Sequence, residues 1–151
     1  MMAATPKILI VDDDPLLVRL YEKAFRLSKY ETETAFDGES ALEKLKMAGV
    51  KPTLILLDVM MPKMNGLELL SKIKKDAGLK ELPVIMLTNL AGDKDAEEAL
   101  LRGAITYLVK SKYQPKEVVQ KVKEIMSGYV GNNIPEVKTA IKDTDVLKAD
   151  K

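Results

Sequence analysis

Four apolar runs of this chain each end abruptly in polar residues that could do chemistry. Ile8-Leu9-Ile10-Val11 runs into Asp12-Asp13-Asp14, Leu54-Ile55-Leu56-Leu57 into Asp58, Val84-Ile85-Met86-Leu87 into Thr88, and Tyr107-Leu108-Val109 into Lys110. Adjacent carboxylates repel one another, and burying them uncompensated costs more than one hydrogen bond returns. A divalent cation removes the difficulty. Oxygen donors without His or Cys suit Mg²⁺, which keeps several waters and takes few carboxylates. A cation, an ammonium and a hydroxyl are also the parts that phosphoryl transfer uses to neutralise and position its equatorial oxygens, and a carboxylate can be the nucleophile.

Taken singly, each residue has an ordinary structural role. Asp14 before Pro15 is a favoured helix start, with Asp as N-cap and Pro at the first helical position. Thr88 alone would be a loop residue and Lys110 alone a solvated charge. Asp58 is harder to dismiss, because no helix begins after it until about Gly66.

Composition narrows the chemistry further. The chain has 151 residues, Lys+Arg 24 against Asp+Glu 23, and neither His nor Cys. Disulfides, thiolate metal sites and cysteine nucleophiles are therefore excluded. So are a Ser-His-Asp triad and an imidazole general base, and any phosphohistidine must reside on another molecule. The balanced charge gives no reason to expect nucleic acid or an anionic membrane as partner. No Gly-rich phosphate cradle is present. The N-terminus lacks signal-peptide character and no apolar run reaches membrane-spanning length, so a soluble cytoplasmic protein is expected.

The elements that must hold these residues follow from periodicity. Residues 8–11, 54–57, 84–87 and 105–109 are nearly continuous hydrocarbon, as strands buried on both faces of a parallel sheet require, and 30–35 is a weaker fifth. Between them, residues 15–28, 39–48, 67–76, 93–102 and 115–127 carry helical spacing, clearest in the stripe of Val118, Val119, Val122, Ile125 and Met126. The apolar face of 93–102 is mostly Ala96, Ala99 and Leu100, so this helix is expected to dock least firmly. Strict alternation of strand and helix predicts one doubly wound α/β domain with right-handed crossovers. In such sheets ligands bind beyond the carboxyl ends of the strands, where the acids, the hydroxyl and the ammonium would converge.

At these positions the sequence closely resembles the receiver domain of bacterial two-component response regulators. The resemblance is carried by Ile8-Leu-Ile-Val-Asp-Asp-Asp14, Leu56-Leu-Asp-Val-Met-Met-Pro-Lys-Met-Asn-Gly-Leu-Glu68, Pro83-Val-Ile-Met-Leu-Thr88 and Gly103-Ala-Ile-Thr-Tyr-Leu-Val-Lys110. It implies a flavodoxin-like five-stranded parallel sheet of order 2-1-3-4-5 with five helices, over a domain at 6–128. A tail at 129–151 would be disordered or a short helix. Asp58 would accept the phosphoryl group. Mg²⁺ would be held by Asp13, Asp12, Asp58 and the backbone carbonyl of Met60. Thr88 would donate its hydroxyl to a phosphoryl oxygen, Lys110 would pair with the phosphorylated aspartate, and Tyr107 would change rotamer with Thr88, although a half-buried edge aromatic is its plainer role. Met60 and Leu90 would flank the site and shape water access. Three departures stand out: Ser111 where many receivers have Pro, Asn89 where many have Ala or Ser, and Gly103-Ala104-Ile105-Thr106 in place of an acidic stretch.

The function implied is a stand-alone phosphorylation switch rather than an enzyme. Its phosphodonor would be a histidine kinase or histidine phosphotransfer protein, and a surface of the fourth helix, fifth strand and fifth helix would meet a downstream protein. No nucleic acid or membrane partner is implied, and the chain would be a monomer or a weak phosphorylation-dependent dimer. Two alternatives compete. A haloacid-dehalogenase-like phosphatase would use Asp12 and Asp14, with later acids drawn from Asp143 and Asp145. A receiver-like binding module would never be phosphorylated.

Overall fold

The apolar runs are strands: β1 (Lys7–Val11), β3 (Leu54–Asp58), β4 (Val84–Thr88) and β5 (Thr106–Val109), with β2 (Glu31–Ala35) at the edge. The computed structural model describes residues 5–47, 49, 51–89 and 93–130. All neighbouring strands are parallel, in the order β2-β1-β3-β4-β5. Helices α1 (Pro15–Leu27), α2 (Gly38–Met47), α3 (Gly66–Lys75), α4 (Asp93–Leu101) and α5 (Pro115–Val130) connect and cover them. This is the doubly wound architecture the alternating pattern predicts, in the flavodoxin-like strand order the resemblance implies. Leu90 and residues 131–151, with Asp143 and Asp145, lie outside the described residues.

Successive side chains of a strand face opposite ways, so hydrocarbon at every position demands cover on both sides. Leu9, Val11, Ile55, Leu57, Val84, Met86, Tyr107 and Val109 share one core with α2, α3 and α4. Ile8, Ile10, Leu54, Leu56, Ile85, Leu87 and Leu108 share the other with α1 and α5. The weakness of β2 in the sequence has a simple cause: it has one neighbour, β1, and only its last residue, Ala35, is buried.

Register fixes the strand ends. Val11 pairs with Leu57, Asp58 with Leu87, and Thr88 with Val109. Asp12, Asp58, Thr88 and Lys110 therefore leave the sheet at one edge and within one step of each other. Asp14 then turns the chain into α1: its carboxylate accepts the N–H groups of Leu16 at 3.1 Å and Leu17 at 3.3 Å, and Pro15 occupies the first turn.

Candidate functional site

Two of the acids are buried to an unusual degree. Asp12 and Asp58 are each 1% exposed at the carboxyl edge of the sheet. One ammonium serves both: Lys110 Nζ lies 2.7 Å from Asp12 Oδ2 and 3.0 Å from Asp58 Oδ1. Asp12 Oδ1 also accepts the backbone N–H of Asp14 at 3.0 Å, and Asp58 Oδ1 that of Met60 at 3.4 Å. Asp13 stands exposed at the rim, and carboxylate oxygens of Asp12, Asp13 and Asp58 lie within 4.8 Å of one another.

The electrostatics follow from this crowding. Burial, and then the neighbouring charge of Asp12, push the Asp58 carboxyl up from 3.8 to about 6, against the opposing pull of Lys110 and the Met60 N–H. For Lys110, burial works to lower the pKa, but hydrogen bonds and charge from Asp12 and Asp58 outweigh it and hold the ammonium above its ordinary value. Tyr21 of α1 is also held protonated, by burial and by the charges of Asp12, Asp58 and Asp14. Three carboxylates against one ammonium leave two negative charges. All the donors are hard oxygens, a set that fits Mg²⁺ in both charge and type.

The remaining candidates fall nearby with distinct environments. Thr88 is buried at the end of β4, one strand from Asp58. Tyr107 is fully buried in the core under α4, one strand from Met86. Its plainer role as a half-buried edge aromatic is therefore corrected: β5 is the sheet edge, but α3 and α4 roof that face of the sheet. Met60 is 58% exposed, two residues beyond Asp58. Asp14 does not join the cluster, because its carboxylate is committed to the α1 cap.

In the sequence Gly66 marked only the start of a helix; the structure gives it a further role. A Cβ on Gly66 would stand 2.1 Å from the carbonyl oxygen of Asp58, while its N–H donates to Val59 O at 2.8 Å. The first turn of α3 is thereby seated on the main chain of Asp58, and only a residue without a side chain permits it. Asn65 and Glu68 fix that turn with reciprocal hydrogen bonds of 2.9 and 3.3 Å. The available signal was a Gly at the first helical position, where helix propensity gives no reason for one.

A further feature also went unread. Leu16 is 70% exposed in the first turn of α1, and Phe36 is half-exposed just past β2. Leu16 donates its N–H to Asp14, and Phe36 follows Ala35, whose carbonyl accepts the Asp12 N–H. Among the described residues no helix is long and apolar enough to cross a membrane.

Residues 8–123 match the family model described as response regulator receiver domain. The chain is 39% identical over 134 residues to a transcriptional regulatory protein CpxR homolog of Haemophilus influenzae, covering 87% of this chain and 56% of that protein. It is 38% identical over 120 residues to the alkaline phosphatase synthesis transcriptional regulatory protein PhoP of Bacillus subtilis, covering 80% and 48%. The chain thus spans about half the length of the curated relatives it matches. The chemotaxis response regulator CheY4 of Vibrio cholerae superposes with a TM-score of 0.73 at 30% identity, over 80% of this chain and 98% of that one. Receivers are signalling switches phosphorylated on aspartate. With its sheet order, its strand-end acids and these relatives in agreement, the chain belongs to the response regulator receiver domain family of two-component systems.

Proposed function

We propose that Asp58 accepts a phosphoryl group from the phosphohistidine of a histidine kinase or histidine phosphotransfer protein, and that residues 6–128 form the switching unit. The observation that carries this is the sharing of one ammonium by two buried carboxylates, at 2.7 and 3.0 Å. It leaves Asp58 desolvated, oriented and short of countercharge. A carboxylate oxygen of Asp58 attacks phosphorus, the P–N bond breaks, and the partner's imidazole departs with the electron pair and takes up a proton.

Asp12, Asp13, Asp58 and the Met60 carbonyl would hold Mg²⁺, which supplies charge neutralisation to the phosphoryl oxygens. Lys110 stays with the acceptor and offsets the charge of about −1.5 to −2 that a phosphoryl group brings. Thr88 donates its hydroxyl to a phosphoryl oxygen, and Tyr107 follows Thr88. The exposed Leu16, in the turn that Asp14 caps, and Phe36, next to Ala35, offer apolar surface for docking of the donor. The modified state is read by a downstream protein at α4, β5 and α5. The chain acts in the cytoplasm as a monomer or weak phosphorylation-dependent dimer, without nucleic acid or membrane, and catalyses only its own phosphorylation and dephosphorylation.

The commitment of Asp14 to the α1 cap counts against the phosphatase alternative, which needs that carboxylate in the site. The test is incubation with acetyl phosphate and phosphate-affinity electrophoresis. A shifted band that requires Mg²⁺ and disappears in Asp58→Asn is expected. A shift that persists in that variant overturns the assignment.

A further inference from the structure

The lysines of α2, α3 and their flanks divide into two groups. Lys44, Lys51 and Lys74 each donate to backbone carbonyls: Lys44 to Thr34, Lys51 to Leu45, and Lys74 to Lys80 and Leu82. These contacts hold α2 to the edge strand β2 and tie off the ends of α2 and α3. Lys46, Lys72 and Lys75 are exposed and form no ion pair or side-chain hydrogen bond among the described residues. These three line a groove of about 260 Å³ between α2 and α3, over Leu42. Its one lining acid, Asp76, has an oxygen already engaged, accepting the Gly78 N–H at 2.8 Å.

Lysines in a last helical turn complement the helix dipole, and that accounts for each helix separately. It does not account for two helix ends directing unpaired ammoniums into one cleft with an apolar floor. The groove also lies apart from the acidic edge, since none of its lining residues belongs to the strand-end cluster.

We propose that this α2–α3 groove docks a short acidic segment of a partner protein, one apolar side chain seated on Leu42 and carboxylates reaching Lys46, Lys72 and Lys75. The volume suits a side-chain anchor rather than a drug-sized ligand, whose pockets run from roughly 300 Å³ upward. Peptide is favoured over nucleic acid on two grounds. The cleft offers neither an aromatic nor an Arg for base stacking. The whole chain carries a formal charge of only +1, so it lacks the extended positive field that phosphate backbones select. An amphipathic acidic segment laid in a cleft between helices is a recurrent mode of recognition.

The test uses a fluorescein-labelled dodecapeptide of Glu and Leu, with leucines at helical spacing, titrated into the full chain. Fluorescence anisotropy reads affinity and amide chemical shifts read location. Saturable binding is expected, with shifts centred on α2 and α3. Lys46→Glu, Lys72→Glu and Lys75→Glu combined should weaken it about tenfold or more, as three rim pairs are reversed. The triple Gln variant, which adds no repulsion, should weaken it less, and Leu42→Ala should weaken it several-fold, with circular dichroism of every variant unchanged. Shifts centred elsewhere, indifference to the lysine changes, no binding at millimolar peptide, or tighter lysine-dependent binding of a single-stranded DNA dodecamer would each overturn the proposal.

Discussion

The helices on either side of β5 are built differently. On one face, α5 brings Val118, Val119, Val122 and Ile125 into full burial against Val18, Tyr21 and Phe25 of α1. On the other, α4 brings Ala96 and Ala99, with Leu100 only partly buried and Leu101 82% exposed. A fully buried branched aliphatic is worth about 1.5–3 kcal/mol of burial, and an alanine much less. The α5 side therefore holds the fold together. The α4 side, which lies over Tyr107, is held by less apolar burial. Its firmest attachment is polar: Arg102, just past α4, donates to Leu67 O at 3.0 Å and Ser71 Oγ at 3.2 Å of α3, and pairs with Glu98 at 2.7 Å.

This division makes different demands on different residues. The largest effect is expected in the α5 core. Ile125→Ala should lower the free energy of unfolding by ~2–4 kcal/mol in urea titration, and a loss below ~1 kcal/mol would mean that α5 is not the stabilising side.

Next comes the acidic edge, where the sign reverses. The Asp58 carboxyl sits at about 6 in the fold against an ordinary 3.8, so the folded chain retains a proton that the unfolded chain releases. That contribution to stability is present below the ordinary value and is lost as pH rises through about 6, amounting to ~1–3 kcal/mol. Metal-free Asp58→Asn should therefore be more stable than the parent at pH 7, with the difference shrinking towards pH 4. Thermal melts across that range would show it, and a destabilised Asn variant would place Asp58 among the structural residues.

Smaller again is the effect of Mg²⁺. At tenfold excess over its dissociation constant it should add about 1.4 kcal/mol to the parent, raising the melting temperature, and it should add far less in Asp13→Asn. Equal gains in both would remove Asp13 from the cation site. The smallest effect is expected on α4. Leu101→Ala should change stability by no more than ~0.5 kcal/mol, while amide exchange in α4 runs faster than in α5. Equal protection of the two helices would break the comparison.

Much of this was legible in the sequence because it depends on local pattern. Continuous hydrocarbon marked the doubly covered strands, and Asp14-Pro15 marked the start of α1. Parallel strands in regular alternation brought Asp12, Asp58, Thr88 and Lys110 to one edge. What local pattern could not supply was decided by contacts between distant segments. The resemblance paired Lys110 with the acceptor, whereas its shorter contact is with Asp12. Gly66 marked only where a helix begins, because the carbonyl it must clear belongs to another element. The burial of Tyr107 depends on the helices above it rather than on its own strand.

The contact between Lys110 and Asp12 joins residues separated by 98 positions. On a ribosome adding about 5–20 residues per second, roughly 5–20 seconds pass between synthesis of the carboxylate and synthesis of its ammonium. Once β3 has followed, β1 and β3 can pair, but the acids at their ends still lack the ammonium of Lys110. The site is thus assembled late, from the first and last strands of the sheet. A partly made chain cannot hold Asp12 and Asp58 in the geometry they share with Lys110, and that arrangement arrives only when the domain is nearly complete.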